Sequence, residues 1–288
     1  MLSYQHAYHA GNFADVHKHL LLSRVLAYLN LKPAGWTCYE THAGDGMYDL
    51  ASVEALKTGE AEAGIKRLLN ESARDLTLPE VMQTYVDIVR AQLDQQRYPG
   101  SPGIALGLAR EQDAQVLCEL HPAAFAALHG WASSARRHSG ARISVHQRDG
   151  FEGVAALSPP AGGRGVVLID PSYEIKADYE TIPLWTAALL QRWRGAVVMQ
   201  WYPILAKAGH AEILATMKAA LPPTTGVRLT VEWSATGSAG MRGDRTPGMS
   251  GSGMVITNAP WTLADELAGI KDWLNEHLSI VQRIEVSP

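Results

Sequence analysis

Short, almost uninterrupted apolar segments alternate with helix-like segments along most of this 288-residue chain. The clearest is Gly165–Ile169, which runs directly into Asp170. Strands that read as continuous apolar runs are typical of parallel sheets, because helices cover both faces of such a sheet. The alternation therefore predicts an α/β fold with a parallel, doubly wound sheet. The other predicted strands are Trp36–Thr41, Val116–Leu120, Arg142–Gln147, Ala196–Trp201 and segments near 227–233 and 253–258.

Two helical regions complete this pattern. Apolar residues at helical spacing predict a helix from Asp15 to Leu31, ending before Pro33. Residues 51–97 are rich in Ala, Glu, Leu and Gln, and predict two or three helices between the first and second core strands. An insertion lengthens the chain without requiring a second core. We therefore predict a single domain over 1–288, with a small inserted helical subdomain at about 51–97.

Charge and composition exclude several classes of protein. The chain has 25 Lys and Arg against 29 Asp and Glu, a net charge of −4, so it is not basic throughout. Its two cysteines, Cys38 and Cys118, cannot form a disulfide framework or a cysteine-based zinc site. The first residues show no signal-peptide pattern, and no apolar run is long enough to span a membrane. We expect a soluble, cytoplasmic protein.

Polar residues follow the predicted strands where an open α/β sheet binds ligands, at the carboxyl ends. Gly44 and Gly46 follow the first strand and permit a tight turn close to a ligand. Glu119 follows the second, placed to accept hydrogen bonds from two ribose hydroxyls. Asp149-Gly150-Phe151 follows the third and suits an adenine ring. Taken singly, the two glycines are explained equally well as a plain turn, and Glu119 as a surface acid.

The order of these features is more informative than any one of them. A glycine turn, an acid on the next strand and Asp-Gly on the third are the layout of S-adenosylmethionine-dependent methyltransferases. The fourth strand ends in Asp170-Pro171-Ser172-Tyr173. This segment resembles the Asp/Asn-Pro-Pro-Tyr motif of methyltransferases that act on amino groups of adenine, cytosine or glutamine. The sequence thus predicts a Rossmann-like methyltransferase.

The chemistry of amine methylation explains that motif. An exocyclic amine is a poor nucleophile because its lone pair is delocalised into the ring. The Asp170 carboxylate and the Pro171 carbonyl can each accept one N–H, which directs the lone pair toward the sulfonium methyl. Tyr173 can stack on the flipped-out base, a contact worth about 1–3 kcal/mol. Ser172 replaces the usual second proline, and we expect it to affect the rate more than the reaction type.

Four histidines, His6, His9, His17 and His19, lie among the first 19 residues, together with Asp15. A zinc site is one interpretation, since His and Asp are good ligands. The spacing of two between the last pair does not place both on one helix face, and no metalloprotease pattern follows. Direct methyl transfer needs neither a metal nor a nucleophilic side chain. We predict no metal.

The amino-terminal segment Met1–His19 closely resembles the start of the RlmJ family, bacterial 23S ribosomal RNA adenine-N6 methyltransferases. The resemblance continues in family order through most of the chain, with Ser172 and Ala259 where the family usually has proline. Its further blocks are Thr41–Gly46, Tyr98–Pro102, Arg110–Asp113, Glu119–Pro122, Asp149–Phe151, Asp170–Tyr173, Trp201–Pro203, Gly248–Met254 and Asn258–Trp261.

This resemblance implies roles that spacing alone does not give. Tyr4 would contact the RNA, and Asp170 would orient the target N6 amine after base flipping. We further hypothesise that Tyr4, His6 and Lys18 form a mobile flap over the substrate base. The residues implied to surround S-adenosylmethionine are His19, His42, Ser101, Glu119, Asp149, Gly150 and Asp170, and Gly44 joins them from the glycine turn.

Local basic stretches suit the phosphates of a 23S ribosomal RNA partner. Four arginines and no acid lie between 122 and 148, and Arg192, Arg194 and Lys207 lie in a second such stretch. Arg242 and Arg245 lie in a glycine-rich segment. Ordinary solvated helix faces explain each stretch equally well.

Two other functions stay open. The Asp-Pro-Ser-Tyr motif alone also fits a methyltransferase for DNA adenine or protein glutamine, and a non-catalytic ribosome-assembly factor with a decayed site is the third possibility. We expect a monomer, because no apolar helix face is left over.

Overall fold

The first long helix, α1 (Phe13–Asn30), begins where Asn12 caps it. The Asn12 side chain accepts a hydrogen bond from the Asp15 amide at 2.9 Å, which satisfies one of the free N–H groups of the first turn. The helix predicted from Asp15 to Leu31 is confirmed, with its start two residues earlier. These and all later coordinates come from a computed structural model, which describes residues 5–74, 78–93, 97–205, 209–221, 225–236 and 249–287.

Eight strands form the main sheet, and all the predicted strand segments lie in it. β6 (Gly165–Ile169) is buried along its whole length, as its continuous apolar sequence predicts. The spatial order is β10-β8-β9-β7-β6-β1-β4-β5. The remaining bounds are β1 (Thr37–Glu40), β4 (Ala114–Cys118), β5 (Arg142–His146), β7 (Val197–Leu205), β8 (Arg228–Ala235), β9 (Met249–Thr257) and β10 (Ile280–Ser287).

The sheet is parallel only in part. β5, β4, β1, β6 and β7 pair in parallel, which confirms the doubly wound core. β9 runs antiparallel to β7, β8 antiparallel to β9, and β10 antiparallel to β8. The predicted parallel sheet is therefore confirmed for these five strands, and the three strands on the other side add an antiparallel extension. The chain moves from β1 to one side for β4 and β5, and to the other for β6 and β7, so β1 lies at the topological switch point where ligands bind.

In the described part of the chain, four short helices rather than two or three lie between β2 (Met47–Asp49) and β3 (Arg97–Pro99). These two strands form an antiparallel ribbon, which the sequence did not predict. The helices are α2 (Val53–Thr58), α3 (Glu60–Ala63), α4 (Ile65–Arg74) and α5 (Glu80–Leu93). The other helices are a 3-10 turn at His6–Tyr8, α6 (Ser101–Leu108), α7 (Pro122–Ser139), α8 (Gly150–Leu157), α9 (Asp178–Arg192), α10 (Gly209–Ala220), α11 (Leu263–Ala268) and α12 (Lys271–Leu278).

The two faces of the sheet have separate apolar cores. One core joins α1 and the inserted helices to side chains such as Cys38 and Leu168, while the other contains Val167 and Val198 together with residues of α9. Because side chains alternate along a strand, Glu40 and Asp170 lie on the α1 face, two positions beyond Cys38 and Leu168. The start of α1 is thus placed over the carboxyl ends of the strands. Among the helices within the described ranges, none is both long and apolar enough to cross a membrane.

Candidate active site

A buried lysine joins two carboxylates at the carboxyl end of β6. Lys18, in the second turn of α1, donates a hydrogen bond to Asp170 Oδ2, and its Nζ lies 3.0 Å from Asp15 Oδ1. The Lys18 side chain is only 6% exposed and that of Asp15 only 2%. Asp170 keeps more exposure, at 17%. The carboxylate next to which the substrate would bind is therefore held in place by the protein's own cation.

The charges of this triad follow from its surroundings. Burial lowers the pKa of Lys18, but the carboxylates of Asp15 and Asp170 outweigh burial, so the lysine pKa lies above its usual value. Burial raises the pKa of Asp15, yet its neighbours, above all His6 and Lys18, hold it well below its usual value. Two carboxylates thus share one buried lysine at the carboxyl end of β6.

The amino-terminal residues support this triad from outside. His6 Nε2 lies 2.9 Å from Asp15 Oδ2, and the Gly11 amide donates to the same oxygen at 2.9 Å. His6 also packs edge-on against Tyr48, with ring centroids 5.1 Å apart. Lys18 lies in a helix and is buried, whereas the flap hypothesis places it over the substrate base. Tyr4 lies outside the described residues, so its role in RNA binding stays a prediction.

The segment after β6 makes a sharp, buried turn. Pro171 is buried, Ser172 is partly exposed, and Tyr173 has a φ of 51°, a conformation that few residues other than glycine adopt. The Tyr173 hydroxyl donates to the Trp201 carbonyl at 2.8 Å and accepts from Gln200 Nε2 at 3.2 Å. These two bonds tie the turn to β7.

The glycine turn and the acid of the second core strand meet directly. The Gly44 amide donates to Glu119 Oε2 at 2.9 Å, and the His121 amide donates to Oε1 at 2.8 Å. Gly44 has a φ of +59°, and a Cβ there would lie 2.2 Å from the Tyr48 hydroxyl oxygen. Glu119 thus presents an oriented carboxylate, with lone pairs left for further donors.

The residues that follow β5, the third strand predicted from the sequence, lie around His42. Asp149 caps α8 by accepting from the Glu152 amide at 3.0 Å, and Gly150 begins that helix. A Cβ on Gly150 would lie 1.9 Å from the Thr41 carbonyl oxygen, so the close approach of α8 to β1 requires glycine. Phe151 packs edge-on against His42 at 5.5 Å. Burial lowers the pKa of His42, and the carboxylates of Glu119, Asp170 and Asp149 oppose that effect.

His19 and Ser101 lie on the α1 side of β1. His19 Nδ1 lies 2.8 Å from the Tyr98 hydroxyl, and Ser101 donates to Glu40 Oε2 at 2.5 Å. Burial raises the pKa of Glu40 to about 8, with smaller opposing effects from Ser101 and Lys18. Burial lowers the pKa of His19 to about 3, so its ring is neutral. Sequence reasoning placed Glu40 in the strand but did not select it, although it directly precedes the glycine-turn motif.

The polar atoms of the site that have no hydrogen-bond partner in the protein fit S-adenosylmethionine. Glu40 Oε1 and His19 Nε2 are buried without a hydrogen-bond partner in the described structure. An amino group and a carboxylate are the complements of such atoms. Glu119 suits ribose hydroxyls, and Gly44 and Gly150 provide backbone space. No group of three or more His, Cys, Asp or Glu side chains in the described ranges is placed to hold a metal ion.

The basic stretches are only partly described. Arg136 donates to the Ile143 carbonyl and Arg192 to the Ala155 and Ser158 carbonyls, so both bind the protein's own backbone. Arg137 and Arg142 are exposed. Lys207, Arg242 and Arg245 lie outside the described residues.

Comparison with known proteins identifies the family. The family model described as ribosomal RNA large subunit methyltransferase D, RlmJ, matches residues 33–284. The chain belongs to the RlmJ family. It is 36% identical over 285 residues to ribosomal RNA large subunit methyltransferase J of Escherichia coli K12, an alignment that covers 96% of this chain and 94% of that protein. The protein of the same name from Haemophilus influenzae is 36% identical over 284 residues, with the same coverage of each chain.

A solved structure has the same fold as this chain. A crystal structure of a protein from Legionella pneumophila Philadelphia 1 matches with a TM-score of 0.83 and 31% identity, covering 96% of this chain and 98% of that one. The resemblance to the RlmJ family inferred from short motifs is therefore confirmed over nearly the whole chain. The roles of the individual site residues stay predictions.

Proposed function

We propose that this chain transfers a methyl group from S-adenosylmethionine directly to the exocyclic N6 of a specific adenosine in 23S ribosomal RNA, after the base has flipped out. The proposal rests on one observation above all. Asp170 lies at the same carboxyl edge of the sheet as the Gly44–Glu119 pair, and Lys18 fixes its orientation. This placement supports a site in which Asp170 accepts the amine and Glu119 binds the nucleoside. The two RlmJ relatives are named as ribosomal RNA large subunit methyltransferases.

The donor side of the site follows from the residues left with free hydrogen-bonding capacity. Glu119 would bind the ribose hydroxyls, Glu40 and His19 the amino and carboxylate groups, and His42, Asp149 and Gly150 the adenine end. Ser101 acts through Glu40, whose carboxylate it orients. Bound S-adenosylmethionine supplies an activated methyl group as a sulfonium.

The acceptor side of the site positions the amine. One N–H of the target amine would donate to Asp170, on the oxygen that Lys18 leaves free, and the other to the Pro171 carbonyl. Both bonds direct the nitrogen lone pair away from the protein and toward the methyl group. As nitrogen becomes positive, the Asp170 carboxylate that accepts its N–H stabilises it. The methylated amine is acidic, so it loses its proton to Asp170 or water.

The direct test is transfer of labelled methyl groups to 23S RNA from cells that lack this enzyme, compared with Asp170→Ala. We expect label that digestion identifies as N6-methyladenine and that the variant fails to produce. Already methylated 23S RNA is the matched substrate control and would take up no label. Label on DNA or protein glutamine but not on RNA would contradict the proposal. Cofactor binding without transfer to naked RNA or to an assembly intermediate would also contradict it.

A further inference from the structure

Trp201 is the residue of β7 that lies beside Asp170. Ile169 pairs with Gln200 in the parallel register of β6 and β7, so Asp170 and Trp201 follow at the same level. Met199, two positions before Trp201, packs in the core shared with α1. Because side chains alternate along a strand, the indole emerges on the same face as the Asp170 carboxylate. No step of the proposed reaction uses this side chain.

The indole is fixed in its plane by a buried hydrogen-bond chain. Trp201 Nε1 donates to Ser252 Oγ at 2.9 Å, and the same oxygen lies 2.9 Å from His17 Nδ1. Ser252 and His17 are fully buried, and His17 stacks on Trp233 at 4.6 Å. Burial lowers the pKa of His17 to about 3, so the ring is neutral. The Ser252 hydroxyl thus accepts from the indole and shares a hydrogen bond with the His17 ring, which links Trp201 to α1.

The neighbouring aromatic ring of the motif is more enclosed than this indole. Tyr173 is 7% exposed, and its hydroxyl is bonded to β7. Tyr179 lies against it, with ring centroids 4.8 Å apart. The Trp201 side chain is partly exposed, and its ring lies 6.1 Å from that of Tyr173 at an angle of 54°. Beside Asp170, the indole is therefore the aromatic group with more surface left for a ligand.

We propose that Trp201 forms one wall of the pocket for the target adenine, against which the flipped-out base packs while its amine reaches Asp170. This inference rests on the proposed function and names a substrate-binding residue for it. A rigid ring suits the task, because a wall already fixed by Ser252 and His17 loses no rotamer freedom when the base binds.

The test compares kcat/KM for unmodified 23S RNA among Trp201→Ala, Trp201→Phe and a matched control, Trp261→Ala. Trp261 is 76% exposed and follows the end of β9, which lies beside the start of β7 and away from Asp170. We expect Trp201→Ala to lower kcat/KM by about 5- to 150-fold, the range for losing one base–aromatic contact. Trp201→Phe should stay within about threefold of wild type, because it keeps a stacking ring.

The affinity for S-adenosylmethionine separates this role from a structural one. We expect the Kd of the cofactor to be unchanged in both Trp201 variants. Equal kcat/KM for Trp201→Ala and Trp261→Ala would overturn the inference alone, as would a cofactor Kd weakened by the same factor as kcat/KM, or a Phe variant as poor as the Ala variant. A wild-type protein that binds the cofactor but does not methylate RNA would overturn the proposed function, and this inference with it.

Discussion

Replacing Lys18 by Met would leave Asp15 and Asp170 facing each other without their shared cation. Lys18 and Asp15 are almost completely buried, so the repulsion is poorly screened by solvent. Removing one partner of a buried ion pair typically costs about 3–5 kcal/mol, because the remaining charge is uncompensated. We therefore expect Lys18→Met to lower the free energy of unfolding by about that amount near neutral pH.

Urea unfolding of wild type, Lys18→Met and a control, Lys66→Met, measures this effect. Lys66 pairs with Glu62 on the surface, where the side chains are 32% and 69% exposed, and such a pair contributes about 0–1 kcal/mol. The same chemical change should therefore have little effect at Lys66. Similar losses in the two variants would refute the assignment of Lys18 as a buried, shared cation.

The pH dependence of the Lys18→Met loss follows from Asp15. Its pKa in the folded protein lies below the unfolded value, so it contributes stability above about pH 4, and this contribution is lost as the pH falls through the folded pKa. Without Lys18 the folded pKa rises and the contribution shrinks. The difference between wild type and variant should therefore be largest near neutral pH and diminish toward pH 3. A loss that is equal at both pH values would contradict the electrostatic explanation.

Two further predictions concern the cofactor side. Glu119→Gln should weaken S-adenosylmethionine binding by about 10-fold or more, since hydrogen bonds to a charged acceptor contribute about 1.5–3 kcal/mol. Calorimetric titration measures this, and an unchanged Kd would show that Glu119 only holds the Gly44 turn. Burial raises the pKa of Glu40 in the folded protein to about 8, which is above its value in the unfolded chain. The free energy of unfolding of the wild type should therefore fall as the pH rises from about 5 to 9. In Glu40→Gln, urea unfolding should give a smaller fall between these two pH values, and an equal fall in wild type and variant would contradict the prediction.

Apolar runs predicted the core strands because buried parallel strands need little else. The strands that escaped prediction lack this signal. β2 and β3 have three residues each, and β10 has exposed apolar residues, Val281 and Val286, on the outermost strand of the sheet. Apolar runs indicate buried strands, but β7 is such a run and pairs in parallel with β6 and antiparallel with β9, so the runs alone do not show where the sheet changes direction.

The residues of the candidate site also fall into two groups, those that the sequence predicted and those that it did not. Asp170 and Glu119 were found because each directly follows a strand, and strand ends meet at one edge. The contact between Lys18 and Asp170 spans 152 positions of sequence and depends on where α1 crosses the sheet. The spacing of the residues along the chain does not contain that information. The burial of Lys18 likewise could not be expected from its charge.

The single-turnover rate of N6-methyladenine formation in unmodified 23S RNA, for wild type and Asp170→Asn, tests the central claim most directly. An amide at this position keeps the size of the side chain but removes the negative charge that opposes the positive charge on nitrogen. Losing one preorganised electrostatic group costs about 10²–10³ in rate, and we predict a fall of that size with the product still at N6. An Asp170→Asn rate within a few-fold of wild type, or methyl groups at another atom, would contradict the account.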